Sequence, residues 1–194
     1  MGPQSHMKIE PGLKVAAQME AEPSEADFSF ARQMGVDQAV AWCSPDNASP
    51  DYYRHCKELY DANGIRLYGL GNSGVHNVAA ITLNLPGRDE KVEQYKRHLR
   101  NLGQADIPYT TYAHMANGVW STPREETRGG ASARSFDEAR LDEAIPGGGF
   151  GSRPELARDY SEDEIWEHFT SFIKEVAPVA EEAGVRIGIH PDDP

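Results

Sequence analysis

The segment GVRIGIHPDDP, residues 184–194, combines a signal for the fold with a signal for chemistry. Its first part, VRIGIH (185–190), is typical of a buried strand, and Gly184 before it is a typical helix stop. Proline disfavours the helical conformation in the residue that precedes it, so Pro191 should keep His190 extended. The segment therefore predicts a strand that carries a histidine at its carboxyl end.

Working back from this strand, short apolar runs alternate with amphipathic stretches along the chain. The predicted strands are LKVAAQM (13–19), QAVAWC (38–43), IRLYGLG (65–71), PYTTYAHM (108–115) and VRIGIH (185–190), and the predicted helices occupy 24–35, 49–64, 88–106 and 161–184. Strands that alternate with helices predict a parallel sheet with right-handed crossovers. Two architectures share this order, an open doubly wound sheet and a (β/α)8 barrel.

Local motifs weigh on this choice without deciding it. The first strand–helix turn carries no GxGxxG, which disfavours a dinucleotide-binding sheet. A barrel typically needs about 250 residues, so 194 residues would supply about the first four and a half β/α units. MGPQSHM resembles a cloning remnant, so we expect residues 1–6 to be foreign and 7–194 to belong to a single domain.

Two features of the second half of the chain stand out. A Gly- and Arg-containing stretch at about 116–160 interrupts the rhythm, and a connection of this length is typical of a functional lid or a disordered loop. The helix after it should begin with a capping box of Ser161 and Glu164. Pro178 should kink this helix or end its regular part.

The charge and the cysteines limit the partners and the compartment. The chain has 31 acidic and 19 basic residues, a formal net charge of -12. We expect no nucleic acid or anionic membrane as partner, because a negative surface repels phosphate groups. No apolar run approaches the roughly 18 residues that a membrane span needs. Cys43 and Cys56 form no CxxC pair, which is typical of a protein of the reducing cytoplasm.

Polar residues collect after the predicted strands, at the edge where parallel α/β folds bind ligands. They are Gln18, Glu20, Trp42, Cys43, Asn72, His76, Asn77, His114, Asn117, His190, Asp192 and Asp193. His190 could offer a ring nitrogen to a divalent metal or could be a hydrogen-bonded structural histidine. Asp192 and Asp193 suit either a role in orienting that imidazole or a simple turn.

The other candidates carry weaker signals. His76, His114 and Asn117 are candidate substrate contacts because they follow strands, and Arg128 in TRGGA could bind an anion. Cys43 ends an apolar run and is expected to be a buried small residue rather than a nucleophile. The histidines on predicted helices are expected to face solvent; they are His55, His98 and His168.

Four segments, in order along the chain, together resemble the mannonate dehydratase family. They are LPGRDEKVEQYKRHLRNLGQADIP (85–108), ANGVWST (116–122), TRGGASARSFD (127–137) and GIHPDDP (188–194). The resemblance implies a TIM barrel related to the xylose-isomerase-like barrels. It also implies a cytoplasmic lyase of hexuronate breakdown, which uses Mn²⁺ or Mg²⁺ to convert D-mannonate into 2-dehydro-3-deoxy-D-gluconate. A small sugar-acid substrate and a homo-oligomeric state are expected with it.

The same resemblance assigns roles to particular residues. His190 matches the family's metal-binding histidine, and Trp120 lies in the region similar to a loop that closes over the substrate. Many relatives have an arginine after that tryptophan, whereas Ser121 stands here and Arg124 follows later. The family's other metal ligands and its acid and base groups lie after the HPDDP motif, so this chain alone is expected to be inactive. The alternatives are a xylose-isomerase-like sugar isomerase or epimerase, and a non-catalytic sugar-binding module.

Overall fold

Five parallel strands and the helices between them dominate the computed structural model, which describes residues 13–115, 120–143, 145–146, 156 and 158–191. In chain order the elements are β1 (Ala16–Glu20), α1 (Glu25–Gln33), β2 (Gln38–Cys43), α2 (Pro50–Ala62), β3 (Arg66–Asn72), α3 (Ser73–His76), α4 (Ala79–Thr82), α5 (Arg88–Gln104), β4 (Tyr109–Ala113), β5 (Trp120–Glu126), β6 (Ser132–Ser135), β7 (Ile145–Pro146), α6 (Glu162–Ala183) and β8 (Arg186–His190). All five predicted strands and all four predicted helices are present.

The parallel strands follow the order β1-β2-β3 in one sheet and β4-β8 in a second. An isolated parallel bridge joins Asn77, which follows β3 and α3 in the chain, to Ala113 of β4. The Thr110 hydroxyl also donates a 2.9 Å hydrogen bond to the carbonyl oxygen of Leu70. The parallel arrangement predicted from the alternation is confirmed. These two contacts place the sheets side by side as one layer, and the face of this layer away from the helices is called the concave side.

Successive side chains of each strand point to opposite sides of this layer. On β2, the side chains of Ala39, Ala41 and Cys43 are buried beneath the helices. The other residues of β2, which are Gln38, Val40 and Trp42, face the concave side and are half-buried. Gly188 of β8 leaves room there for the phenol ring of Tyr109, which a Cβ at this position would overlap unless the ring moved.

The core lies between the strands and the helices. Its largest fully buried side chains are Tyr53, Tyr60, Tyr95, Phe28, Phe172, Ile65, Leu67, Leu70, Leu99, Leu102, Ile107 and Val92. Phe172 of α6 contacts the rings of Tyr95 on α5 and Tyr112 on β4, with centroid distances of 5.3 and 5.0 Å. These contacts hold α5 and α6 against the outer face of β4 and β8.

Helix ends follow the capping rules that the sequence indicates. The Ser161 hydroxyl and the Glu164 carboxylate form the predicted capping box at the start of α6, and Gly184 ends that helix with a φ of 70°. Of the two effects predicted for Pro178, an end to the regular part of the helix is wrong, because α6 continues to Ala183, whereas a kink stays a prediction. Buried residues on both sides of the proline, among them Val176 and Ala180, keep the helix packed on the sheet despite the missing donor.

The stretch predicted as a lid or disordered loop contains a small antiparallel sheet, in the order β6-β5-β7. The Arg124 guanidinium donates hydrogen bonds of 2.9 and 2.7 Å to the hydroxyl and carbonyl oxygens of Ser132. Two short 3-10 turns, at 128–130 and 138–143, connect the strands. The pattern did not predict these strands because they are short and mostly exposed, and because Pro123 interrupts the longest of them.

Within the described residues, no helix is both long enough and apolar enough to cross a membrane.

Candidate functional site

The concave side of the strands gathers polar and aromatic residues at the carboxyl ends. The register pairs Glu20 with Trp42 and Trp42 with Gly71, and on the other side it pairs Ala113 with His190. Gly71 makes room for the indole, since a Cβ there would lie 2.7 Å from two ring carbons of Trp42. The strand ends therefore form a recess with an aromatic wall on the β2 side.

His76, the last residue of α3, reaches across this recess from β3 to β4. Its Nδ1 lies 3.3 Å from the carbonyl oxygen of Thr111, and its ring centroid lies 4.5 Å from that of Trp42. The same nitrogen lies 3.3 Å from the Thr111 hydroxyl, which can donate as well as accept, so Thr111 engages Nδ1 in either tautomer and Nε2 has no partner among the described residues. Burial lowers the pKa of His76, with a smaller contribution from His190 in the same direction, while the bond to Thr111 opposes it. A neutral ring is thus favoured.

The turn that carries His76 is built by Asn72. The Asn72 side chain accepts a 2.9 Å hydrogen bond from the amide of Gly74, and its amide donates to the carbonyl oxygen of Ser44 at 3.0 Å. Asn72 is only 3% exposed. This buried amide ties the end of β3 to the loop after β2 and sets the position of α3.

His190 ends β8, with Pro191 directly after it, so the extended conformation predicted from the proline is confirmed. Its side chain is exposed. Its ring centroid lies 5.7 Å from that of His76, with the two planes nearly perpendicular at 86°. The structure thus brings together two of the predicted site residues, while Asp192 and Asp193 lie outside the described residues.

The described residues do not complete a metal site. Among them, no group of three or more His, Cys, Asp and Glu side chains is positioned to hold a metal ion. A catalytic zinc, for comparison, takes three protein ligands and leaves a position for water or substrate. The His76–His190 pair supplies two imidazoles at most, so we derive no chemical step through a metal from these residues.

His114 lies on the other side of the strand layer. Its neighbour Ala113 pairs with His190 on the concave side, and the His114 ring packs instead against Phe169 of α6, with centroids 5.6 Å apart. Both ring nitrogens are shielded from solvent, and although the backbone of Ile165 lies near the ring, neither nitrogen makes a well-aligned hydrogen bond to a described residue. Burial lowers the pKa of this imidazole. The structure therefore does not bring His114 together with the other two histidines.

The remaining predicted substrate contacts belong to the stretch after β4. Asn117 lies outside the described residues, and of Trp120 only the backbone is described, as the first residue of β5. Arg128 is exposed in a 3-10 turn, with no ion pair to another described residue. Arg124 uses its guanidinium to bind Ser132 within the small sheet, as described above.

His98 was predicted to face solvent, and this is wrong. It is 3% exposed, and its Nδ1 lies 2.7 Å from the Tyr53 hydroxyl while its Nε2 lies 3.0 Å from the Thr110 hydroxyl. Because Thr110 donates to the Leu70 carbonyl, it accepts from Nε2–H, and Nδ1 then accepts from Tyr53. Burial lowers the pKa of His98 to about 3. The helical spacing of His98 from the buried Tyr95 and Leu102 was the signal that could have placed it inside.

His55 and His168, predicted to face solvent, and Cys43, predicted to be buried, agree better with their predictions. The His55 side chain is 58% exposed, whereas His168 is half-buried with Nδ1 2.9 Å from the Thr82 carbonyl oxygen. Cys43 is buried, as predicted, and burial raises the pKa of its thiol to about 11. A thiol with such a pKa is a poor nucleophile near neutral pH.

Comparisons with known proteins agree with one another about this chain. The family model of D-mannonate dehydratase (UxuA) matches residues 32–194. The mannonate dehydratase of Shouchella clausii (strain KSM-K16) is 32% identical over 192 residues, covering 84% of this chain and 53% of that protein. The mannonate dehydratase of Streptococcus pneumoniae (strain 70585) is 31% identical over 156 residues, covering 71% of this chain and 42% of that protein.

Solved structures show the same relationship at the level of the fold. The crystal structure of mannonate dehydratase from Streptococcus suis serotype2 superposes with a TM-score of 0.74 at 22% identity, covering 95% of this chain and 55% of that one. The D-psicose 3-epimerase of Clostridium cellulolyticum H10 follows with a TM-score of 0.52 at 17% identity, covering 90% and 51%. The predicted TIM-barrel fold class is confirmed. The chain spans about half the length of the curated relatives that it matches.

Proposed function

Because this chain belongs to the D-mannonate dehydratase (UxuA) family, we propose that it forms part of a lyase that dehydrates D-mannonate to 2-dehydro-3-deoxy-D-gluconate. The match of the family model over residues 32–194 is the observation that carries this proposal. The likeness to an epimerase is one of fold alone, at 17% identity, and does not favour the isomerase or epimerase alternative. A sugar-binding module without catalysis is disfavoured by the same family match.

The dehydration needs particular chemical groups, and the residues of the recess at the strand ends supply some of them. A base removes a proton from the carbon next to the carboxylate. An acid gives a proton to the hydroxyl group on the neighbouring carbon, which then leaves as water. The Nε2 of His76 would share a hydrogen bond with a substrate hydroxyl, which can donate or accept. The indole of Trp42, held against His76, would exclude water on that side. The proposed acid and base groups lie outside the residues described.

We propose His190 as one ligand of a Mn²⁺ or Mg²⁺ ion, because its exposed ring stands at the strand end on the concave side. The further ligands would come from residues that the structure does not describe. When bound, such an ion would stabilise the negative charge that develops on the substrate carboxylate. The proposal that Trp120, Asn117 and Arg128 contact the substrate rests on the family resemblance of their segments, and for Arg128 also on a guanidinium that makes no ion pair with another described residue.

The proposed setting is a homo-oligomer in the cytoplasm. The outward-facing Ile189 of β8 is 55% exposed, and such an apolar side chain on a strand favours burial against another chain segment. Two cysteines with free thiols suit a reducing compartment. Sedimentation velocity of the purified chain would test the oligomer, and a single monomeric species across a hundredfold concentration range would contradict it.

The function is tested by a chimaera in which residues 13–191 replace the matching part of the Streptococcus suis enzyme. With Mn²⁺ we expect this chimaera to convert D-mannonate into a 2-keto acid, and we expect the 194-residue chain alone to show negligible conversion. His190→Ala in the chimaera should lower the rate about a hundredfold or more, whereas Trp166→Ala, on an exposed part of α6, should leave it unchanged.

Two measurements keep this test interpretable. Circular dichroism shows whether each chimaera is folded, and saturation-transfer NMR shows whether it binds D-mannonate. A folded chimaera that binds D-mannonate without dehydrating it, or that epimerises a ketose instead, would contradict the proposal. Full activity in the His190→Ala chimaera would contradict the assignment of His190 as a ligand.

A further inference from the structure

Behind α3, on the helix-facing side of the strand layer, lies a second recess that the proposed reaction does not use. It is a cavity of about 640 Å³ between the loop after β2, the short helix α3 and one face of α5. Its size is in the range of small-molecule sites. The cavity floor includes Tyr53, Asn72 and His98, each no more than 3% exposed.

The side chains on the α5 wall make this cavity electropositive. Lys91 and Arg97 both line it, and no Asp or Glu is among the described residues that do so. The Lys91 ammonium donates to the neutral amide of Gln94 at 3.0 Å, and Arg97 has no ion pair with another described residue. The Gln94 amide donates in turn to the carboxylate of Glu90 at 3.2 Å, and Glu90 itself does not line the cavity. Two cations thus face a cavity in a chain whose net charge is -12.

We propose that this cavity binds a small phosphorylated metabolite, with Lys91 and Arg97 holding the phosphate. A phosphate dianion matches two positive charges on one wall, and a guanidinium offers it paired donors. The Asn101 side chain lines the same space, and its amide oxygen, which makes no hydrogen bond to another described residue, suits a hydroxylated group attached to the phosphate. The site is separate from the recess at the strand ends and does not depend on the dehydratase proposal.

The two recesses share one structural wall. Gly74 and Val75 of α3 line the cavity, and the next residue, His76, contacts Trp42 and Thr111 on the other side. A ligand in the cavity would contact the turn that positions His76. Occupation of the cavity is therefore expected to shift the ring NMR signals of His98, which lines it, and of His76, while those of the exposed His55, which does not line it, stay unchanged.

Isothermal titration calorimetry on the 194-residue chain, with inorganic phosphate and with glucose 6-phosphate as probes, tests the proposal. We expect saturable binding that Arg97→Gln weakens by about tenfold or more, because one charge-assisted contact is lost. The matched control is Arg100→Gln, which makes the same change of charge on α5 at an exposed residue that does not line the cavity.

Each outcome is decisive. Equal affinity for both probes would show that the phosphate group alone is recognised, whereas tighter binding of glucose 6-phosphate would show that the sugar is recognised as well. Absence of saturable binding of both probes at 10 mM would overturn the proposal. So would an equal loss of affinity in Arg97→Gln and Arg100→Gln, because it would indicate diffuse attraction to the helix surface. Circular dichroism of both variants excludes misfolding as the cause of a loss.

Discussion

On the helix-facing side of the strands, Tyr53, His98 and Thr110 are buried and bonded to one another, whereas on the concave side His190 is exposed at the end of its strand. The helix-facing side is filled with aromatic rings, and its Tyr53–His98–Thr110 group satisfies its polar atoms internally. On the concave side, Thr111 holds the Nδ1 of His76, and the His76 Nε2 and the His190 ring are open to further partners. The packed core on the helix-facing side thus contributes most of the stability, whereas the exposed strand ends on the concave side contribute little to it, and substitutions at the two places should differ accordingly.

The largest expected effect is on the helix-facing side. Phe172→Ala removes a ring that is 1% exposed and contacts Tyr95 and Tyr112, so the free energy of unfolding should fall by about 3–5 kcal/mol. Urea denaturation followed by circular dichroism measures this change. Trp166→Ala on the same helix, at a residue 59% exposed, is the matched control and should change stability by about 0.5 kcal/mol or less.

Acidification should also act through the helix-facing side. The pKa of His98 is about 3 in the folded chain and about 6.5 when unfolded, so the folded state binds fewer protons between these values. Stability is therefore fully present above about pH 6.5 and is lost as the pH falls towards 3. The expected contribution of His98 between pH 7 and pH 4.5 is about 2–3 kcal/mol.

The His98 contribution is separated from that of other groups by a variant. Burial also lowers the pKa of His76 and of His114, so these imidazoles act in the same direction. Urea titrations of the wild type and of His98→Gln at several pH values isolate the difference. An equal pH dependence in the two proteins would show that His98 is not held neutral in the folded chain.

A smaller effect is expected when one hydroxyl of the buried network is removed. Thr110→Val keeps the shape of the side chain but leaves the His98 Nε2–H and the Leu70 carbonyl without this partner. The free energy of unfolding should fall by about 1–2 kcal/mol. Thr170→Val, at an exposed residue of α6, is the control. An equal loss of unfolding free energy in the two variants would show that the hydrogen bonds of Thr110 do not stabilise the fold.

The smallest effect on stability is expected on the concave side. His190→Ala removes an exposed ring whose contact among the described rings is with His76, so the free energy of unfolding should change by less than about 0.5 kcal/mol. Thermal and urea denaturation measure it. A loss comparable to that of Phe172→Ala would mean that His190 supports the fold rather than a ligand site, and the contrast between the two faces would fail.

Much of the fold could be predicted from local patterns. The apolar runs and capping residues located every parallel strand and long helix, although boundaries such as that of β1 shifted by a few residues. The antiparallel sheet at 120–146 was not predictable in this way. Short exposed strands bury little apolar surface, so they leave no clear alternation in the sequence, and their pairing depends on contacts such as that of Arg124 with Ser132.

The candidate site was predictable only in part. Pro191 is sufficient to indicate an extended His190, because the restriction acts on the adjacent residue. The sequence suggested His76 and His114 equally, since both follow strands. Their different surroundings depend on which side of the layer each ring occupies, and the Phe169 contact of His114 comes from a helix distant in the sequence.

The sequence by itself determined the alternation of strands and helices, the start and stop of the main helices, the burial of Cys43 and the extended His190, since each depends on periodicity or on neighbouring residues. The tertiary structure alone decided that His98 is buried, that His76 meets His190, and that Lys91 and Arg97 face a cavity behind α3. These outcomes depend on the packing of α5 against α2 and on the curvature of the strand layer, which bring together residues that no local pattern relates.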